Sequence, residues 1–253
     1  RLIADIRDVI PDVPVIAGGI EASLRRVSHY DYWQDKLLPS ILVDCHADML
    51  IYGMGEKPML EIVEALESGN NITDLCNIPQ TVVRQPLQAV PNADTIKQTG
   101  DVILHSFEEC LRSKLKQAEN FKHIEVESNR WFGNALWQVT GNVAIKVNRT
   151  NPPLTTPEID ASFDLPYTRL PHPRYNGKTI PAYEMIRHSV NMHRGCFGGC
   201  AFCTISAHQG KFIASRSKAS ILREVKQIIA MDDFKGYISD LGGPSANMYA
   251  MHG

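Results

Sequence analysis

No run of about 18 apolar residues occurs in the 253-residue chain, so the sequence offers no apolar membrane span. Neither sign of charge dominates. The 26 Lys and Arg nearly balance 28 Asp and Glu, and a net charge of −2 gives no bulk attraction to nucleic acid or an anionic membrane. Internal repeats, low-complexity tracts and a signal peptide are not seen. Cysteine is sparse, six in all, and too thinly spread for a secreted disulfide framework, which points to a reducing, cytoplasmic setting. An initiating methionine is also missing. The chain opens on Arg1 in a helix-like stretch, stops at Gly253 after a strand-like run, and is read as a piece of a longer protein.

What the chain does hold is material for a core, with 43% hydrophobic and 21% charged residues. Its first 85 residues alternate strand-like and helix-like segments. VPVIAGG (13–19) is a β-branched run ending in two glycines. DMLIYGMGEKPMLEIVEALESG (48–69) reads as strand, glycine turn and helix, with Met59, Ile62, Val63 and Leu66 at helical spacing and Gly69 as the stop. This alternation predicts an α/β fold with a parallel, doubly wound sheet. Gly53 and Gly55 complete no dinucleotide fingerprint, because no third glycine follows in place. Residues 86–130 are predicted to hold a long amphipathic helix, its stripe of Phe107, Leu111, Leu115, Ala118 and Phe121 packed in the core or between domains. Residues 134–148 read as two strands around Gly141. Seven prolines between 151 and 181 predict an irregular connection, packed down through Tyr167, Leu170 and Tyr175. After it come a strand, a loop, a helix over 217–233 capped by Ser217 or Ser220, and a strand over 236–243.

Cys45, Cys76 and Cys110 are scattered and read as free, buried thiols. Cys196, Cys200 and Cys203 instead crowd into RGCFGGCAFC (194–203), in C-x3-C-x2-C spacing. Thiolates are soft ligands that select iron–sulfur clusters, zinc or copper(I). Structural zinc wants four protein ligands, so His193 or His208 would have to complete the set. A [4Fe–4S] cluster is normally held by four cysteines, and three would leave one iron open to a small molecule. Gly195, Gly198 and Gly199 let the backbone wrap closely and aim N–H groups at sulfur.

With the aromatic Phe202 before the last cysteine, this loop resembles the radical S-adenosylmethionine (SAM) superfamily. NPPLTTPEIDASFDLPYTRLPHPRY, HRGCFGGCAFC, HQGKFIASRS and KGYISDLGGPSANMY together resemble its YgiQ-like branch. PVIAGGIEASLRR and LIYGMGEKPMLEIVEAL are similar to the cobalamin-binding-like domain that precedes many radical SAM barrels. The resemblance implies a partial Rossmann-like domain over 1–85, a helical and extended connecting region over 86–180, and over 181–253 the first βα unit of a partial TIM-type (β/α) barrel. It implies a [4Fe–4S] cluster on Cys196, Cys200 and Cys203, with SAM chelating the open iron. Phe202 would lie by the adenine, and Gly242 and Gly243 would meet the methionine amino group; Pro244 stands where the superfamily often has an acid. Reductive cleavage would yield methionine and a 5′-deoxyadenosyl radical that takes a hydrogen atom from substrate. An electron donor such as a flavodoxin or ferredoxin is implied. The branch supplies no substrate, so no catalytic residue is assigned.

Two other classes stand beside this reading: an iron–sulfur electron-transfer or regulatory protein without SAM cleavage, and a zinc-stabilised binding module. Gly242–Gly243 favours the enzyme, since an electron carrier needs no cofactor shelf. The cobalamin loop Asp-x-His-x-x-Gly finds Asp44 and His46 but Met49 for the glycine. His208, Lys211 and Arg216 read either as partners for the cofactor carboxylate or as solvated loop charges. Asp240 reads as a ribose or amine contact or as a loop brace. His29, Tyr30, Tyr32 and Trp33 read chiefly as packing, otherwise as a substrate platform.

Overall fold

A computed structural model describes residues 2–244 and 246–252; Arg1, Ser245 and Gly253 lie outside the described residues, so the opening helix is seen from Leu2. Two compact units divide after Pro152. The first unit runs α1 (Leu2–Val9), β1 (Ile16–Ala17), α2 (Gly19–Leu24), β2 (His29–Asp31), β3 (Lys36–Leu38), α3 (Ile41–Asp44), β4 (Met49–Ile51), α4 (Glu56–Glu67) and β5 (Thr81–Pro86). It continues through α5 (Ala93–Thr99), β6 (Val102–Ile103), α6 (Phe107–Arg112), α7 (Lys114–Ser128), β7 (Leu136–Thr140) and β8 (Val143–Val147).

Six of these strands form one sheet in the order β1-β4-β5-β8-β7-β6. β1 runs parallel to β4, with Ile16 opposite Met49, and β6 parallel to β7, with Val102 opposite Leu136. The inner pairings are antiparallel: Leu50 faces Val82, Arg84 faces Ile145, and Ile145 faces Gln138. The sheet is therefore mixed, where the alternating pattern predicted a parallel one. Part of the reason is local. β7 and β8 are joined through a two-residue turn opening on Gly141 at φ +57°, a connection that only antiparallel neighbours accept.

Strand alternation sends side chains to two cores. Leu50, Val82, Leu136, Ile145 and Val147 pack with Ile3 and Ile6 of α1 and Ile124 of α7. Met49, Ile51 and Val83 pack with Ile62 and Leu66 of α4. Helices thus cover both faces, which makes the unit α/β. α4 buries Pro58 and Ile62 but leaves Met59 and Val63 exposed, a narrower inner face than the four-residue stripe predicted.

The long helix expected within 86–130 is broken at Ser113 into α6 and α7. Its apolar stripe faces outward, with Leu111, Leu115 and Phe121 at 57%, 69% and 61% exposure. The inner face is polar instead. The Asn120 amide donates to His105 O at 2.9 Å and accepts from His105 N–H at 2.8 Å, and Glu127 is buried. Apolar periodicity reported the wrong side because the inner face of this helix joins one apolar contact, Ile124, to buried hydrogen-bonding side chains.

The second unit holds α8 (Thr156–Phe163), α9 (Pro181–Ile186), β9 (Ser189–Asn191), β10 (His193–Arg194), α10 (Ile205–Gln209), β11 (Ala214–Ser215), α11 (Lys218–Ile229) and β12 (Asp240–Gly242). β9 and β12 are parallel, Val190 opposite Leu241, and α11 lies between them in the chain. Val190, Ile221 and Ile228 form a core with Met192, Val225 and Phe234. Ser217 caps α11, its Oγ accepting the Ser220 N–H at 3.1 Å. The proline-rich stretch is more regular than predicted. Pro157 sits in the first turn of α8, where its missing N–H costs nothing, and Thr155 and Glu158 form a capping box. Ile159 is fully buried there, while Tyr167, Leu170 and Tyr175, expected to pack down, are exposed. Among the described residues no helix is long and apolar enough to cross a membrane.

Candidate functional site

The cysteine loop is an excursion from the second unit's β-structure. β10 and β11 pair antiparallel, His193 with Ser215 and Arg194 with Ala214, and so close the chain between 195 and 213. Gly195 is obligatory at the loop's start. Its φ is +90°, and a Cβ there would fall 2.0 Å from Phe212 O. The Gly195 N–H donates to Gln209 Oε1 at 3.1 Å and the Cys196 N–H to Gly210 O at 3.0 Å, so the end of α10 holds the loop's beginning.

Cys196 is buried, Cys203 half-buried and Cys200 exposed, and none is in a disulfide. Cys196 Sγ and Cys200 Sγ approach one point, 3.4 Å and 3.8 Å from where a Cβ on Gly198 would stand. Cys203 joins them through the backbone, its N–H donating to Cys200 O at 3.0 Å. Among the described residues no three His, Cys, Asp or Glu side chains are drawn into a ligating group. The donor set nonetheless fits an iron–sulfur cluster. It is three soft thiols on one short loop, with glycine where two of the sulfurs converge and one thiol open to solvent. Phe202, beside Cys203, is 90% exposed.

Gly242 ends β12, and its carbonyl accepts the Met192 N–H at 2.8 Å. Gly243 has a steric reason to be glycine that sequence did not reveal: a Cβ would lie 1.9 Å from His193 Nε2. His193 is fully buried under it, and Nε2 accepts the Met248 N–H at 3.0 Å, which puts the ring proton on Nδ1. Burial lowers the His193 pKa. Nε2 is thus committed to the backbone, and among the described residues the ring joins no group of ligating side chains. Burial, with the nearby Arg194 charge, also lowers that of His208. Asp240 is exposed, its carboxylate 3.4 Å from the Cβ position of Gly242.

Arg216, a candidate carboxylate ligand by sequence, is enclosed instead. Its guanidinium donates to Asn191 O at 2.9 Å and Ser220 Oγ at 2.8 Å and ion-pairs with Glu224, which also pairs with Arg169. Ser220 Oγ passes the chain on to Asp164 at 2.9 Å. Phe163 of α8 takes the guanidinium carbons of Arg216 and Arg194 at 4.3 Å and 4.9 Å from its ring centroid. Arg216 therefore braces α8 against the base of the cysteine loop and α11. Glu224, Phe163 and Met248 were not singled out by sequence. A charged pair eight residues apart on a helix start and a lone methionine carry no motif.

In the first unit, Tyr32 and Trp33 are not packing residues; they stack edge-on at the tip of the β2–β3 hairpin, with Trp33 88% exposed. Asp44 and His46 precede β4, at the end of the strand opposite to where ligands of parallel α/β units bind. His46 borders a cavity of about 520 Å³ with Arg7, Asp48 and Arg84. Both arginines there are occupied. Arg84 donates to Leu42 O and Ala47 O, and Arg7 to backbone carbonyls and the Asp48 carboxylate.

The family described as Radical SAM N-terminal matches residues 2–189, ending just before the cysteine loop. A UPF0313 protein of Porphyromonas gingivalis is 61% identical over 248 residues, 98% of this chain and 38% of its own length. One from Bacteroides thetaiotaomicron is 56% identical over 260 residues, covering 98% and 41%. One from Geobacter sulfurreducens is 45% identical over 247 residues, covering 98% and 40%. The chain spans about two fifths of the length of these relatives. No solved structure matches it. The likeness runs through the cysteine loop and the Gly-Gly strand end as well as the family's own span, and the chain belongs to the radical SAM superfamily, in its Radical SAM N-terminal family and YgiQ-like, UPF0313 branch.

Proposed function

We propose that the chain is the cofactor-binding part of a radical SAM enzyme. Cys196, Cys200 and Cys203 hold a [4Fe–4S] cluster on the first βα unit of a partial (β/α) barrel over 181–253. A Rossmann-like, cobalamin-binding-like domain over 1–85 precedes it, with 86–180 connecting them. The observation that carries this is the cysteine loop's setting: it leaves a strand pair directly after β9 and returns into α11, and β12 lies parallel to β9. In parallel βα units, the loops after the strands carry the chemistry.

When bound, the cluster supplies one electron that splits SAM into methionine and a 5′-deoxyadenosyl radical. The protein's own work is to hold and shield. Gly195 and Gly199, both at positive φ, let the loop fold back so that thiols 196 and 200 converge beside Gly198. Phe202 offers a bare ring for the adenine. Gly242 and Gly243 form a shelf for the methionine end, and without an acid at Pro244 the amino group falls to backbone carbonyls. The electron donor is of the flavodoxin or ferredoxin type, and a reducing, cytoplasmic compartment suits the open iron. No nucleic-acid or membrane partner is implied by the near-balanced charge.

Anaerobic reconstitution of the full-length protein tests this. About four irons and four sulfides should load, Cys200→Ala should abolish loading, and reductant should release deoxyadenosine from SAM. Stoichiometric zinc with no iron would overturn the reading. A loaded cluster that never yields deoxyadenosine would favour an electron carrier.

A further inference from the structure

Beyond the cysteines, one more sulfur side chain reaches the loop. The point where Cys196 Sγ and Cys200 Sγ converge over Gly198 is also 3.8 Å from Met248 Cε. Met248 comes from the segment after β12, 45 residues beyond Cys203, and its position is not accidental. Its N–H donates to His193 Nε2 at 3.0 Å. On the next residue, Tyr249 Oη donates to Arg216 O at 2.9 Å, and the Tyr249 ring packs on the Val190, Ile221 and Ile228 core. The Ala250 N–H donates to Ser215 Oγ at 3.0 Å. His193 and Ser215 are a paired couple of the β10–β11 ladder that closes the cysteine loop. The loop and Met248 therefore hang from one support, and His193 is locked in it by the close approach of Gly243.

From this juxtaposition we infer that Met248 is a wall of the thiol pocket, covering Cys196 from water while Cys200 stays open, and that His193 is the residue that positions it. A methionine suits the place. It is apolar enough to exclude water and soft and flexible enough to fit either the bare thiols or an occupied site. The hydrophobic shell of a metal site sets solvent access. If the proposed cluster is bound there, Met248 would slow its attack by oxygen; that half of the inference rests on the proposed function, and the placement of Met248 beside Gly198 with the two thiols does not.

The test uses full-length protein with Met248→Ala and the volume-conserving Met248→Leu. In metal-free protein, iodoacetamide alkylation of Cys196, read by peptide mass, should be several-fold faster in M248A and near wild type in M248L. After reconstitution, the visible absorption of the cluster should bleach in air several-fold faster in M248A and at the wild-type rate in M248L. His193→Ala should reproduce M248A, and because truncation at that buried site also threatens folding, the Met248 variants decide. Unchanged alkylation in M248A overturns the covering of Cys196. A leucine variant as vulnerable as alanine overturns the wall, since the volume was kept. If wild type loads no iron, the proposed function fails while the alkylation contrast still judges Met248.

Discussion

Glu224→Ala should cost about 3–5 kcal/mol, because it leaves a buried guanidinium without its counter-charge. The Arg216 side chain is fully enclosed and that of Glu224 is 7% exposed. Without Glu224, Arg216 keeps Ser220 Oγ and Asn191 O, which satisfy N–H groups but cancel no charge. Arg169 is 18% exposed and retains water, so it adds little to the loss. The penalty is a large share of a domain's usual 5–15 kcal/mol, on the order of that range's lower half. At roughly 4–8 °C per kcal/mol for a unit of this size, the midpoint should fall by more than about 12 °C. Hydrogen exchange in α11 and β9 and calorimetry would read the effect. Trp33, Trp131 and Trp137 all lie in the first unit, so tryptophan fluorescence is an internal control that should hardly move. Arg216→Met with Glu224→Leu should recover most of the loss, since an apolar pair carries no desolvation cost. A Glu224→Ala protein within about 1 kcal/mol of wild type would mean that water reaches the pair as at a surface, and Arg216 would not be a buried brace.

His193 supplies a pH prediction. Burial holds its folded pKa below the ordinary 6.5, so the unfolded chain takes up the proton first. The stability this histidine allows is whole above that unfolded value and is lost as pH falls through it toward the lower folded one; a His193 NMR signal that titrates at the ordinary value would refute the burial. Leu115→Ser and Phe121→Ser should each change the stability of the 253-residue chain by less than about 0.5 kcal/mol, because both side chains are mostly in water. A urea midpoint shifted well beyond that would show the stripe to be covered.

Sequence legibility followed the physics of each signal. The α/β class, the hairpin at Gly141, the Gly69 stop and the Ser217 cap were readable because turns and caps are local. Sheet direction was not, since β5 and β8 are far apart in sequence and their antiparallel pairing is a tertiary choice. The helical stripe of 107–121 misled because the buried side of α7 is held by Asn120 and Gln117, whose value depends on partners no pattern shows. The cysteine triplet stood out through its spacing alone. Which cysteine is buried, and that Met248 of the segment after β12 comes beside Gly198, came only with the structure.

The Gly-Gly strand end shows why one motif can answer to two causes, and the two glycines separate them. At Gly243 a methyl group would overlap the His193 ring at 1.9 Å, and that ring is fully buried and bonded to the Met248 N–H. Gly243→Ala should therefore cost about 3 kcal/mol or more, as overpacking at a rigid contact does. At Gly242 the nearest atom is the Asp240 carboxylate, at an ordinary 3.4 Å and free to swing into solvent. Gly242→Ala should keep wild-type stability, since alanine is no worse than glycine in an extended strand. The comparison isolates the cofactor's share. Weaker SAM binding in the stable Gly242→Ala protein, measured by calorimetry on anaerobically reconstituted full-length protein, would belong to the ligand and not to the fold. Gly243→Ala that unfolds like wild type would overturn the packing of His193, and with it the steric requirement for the second glycine.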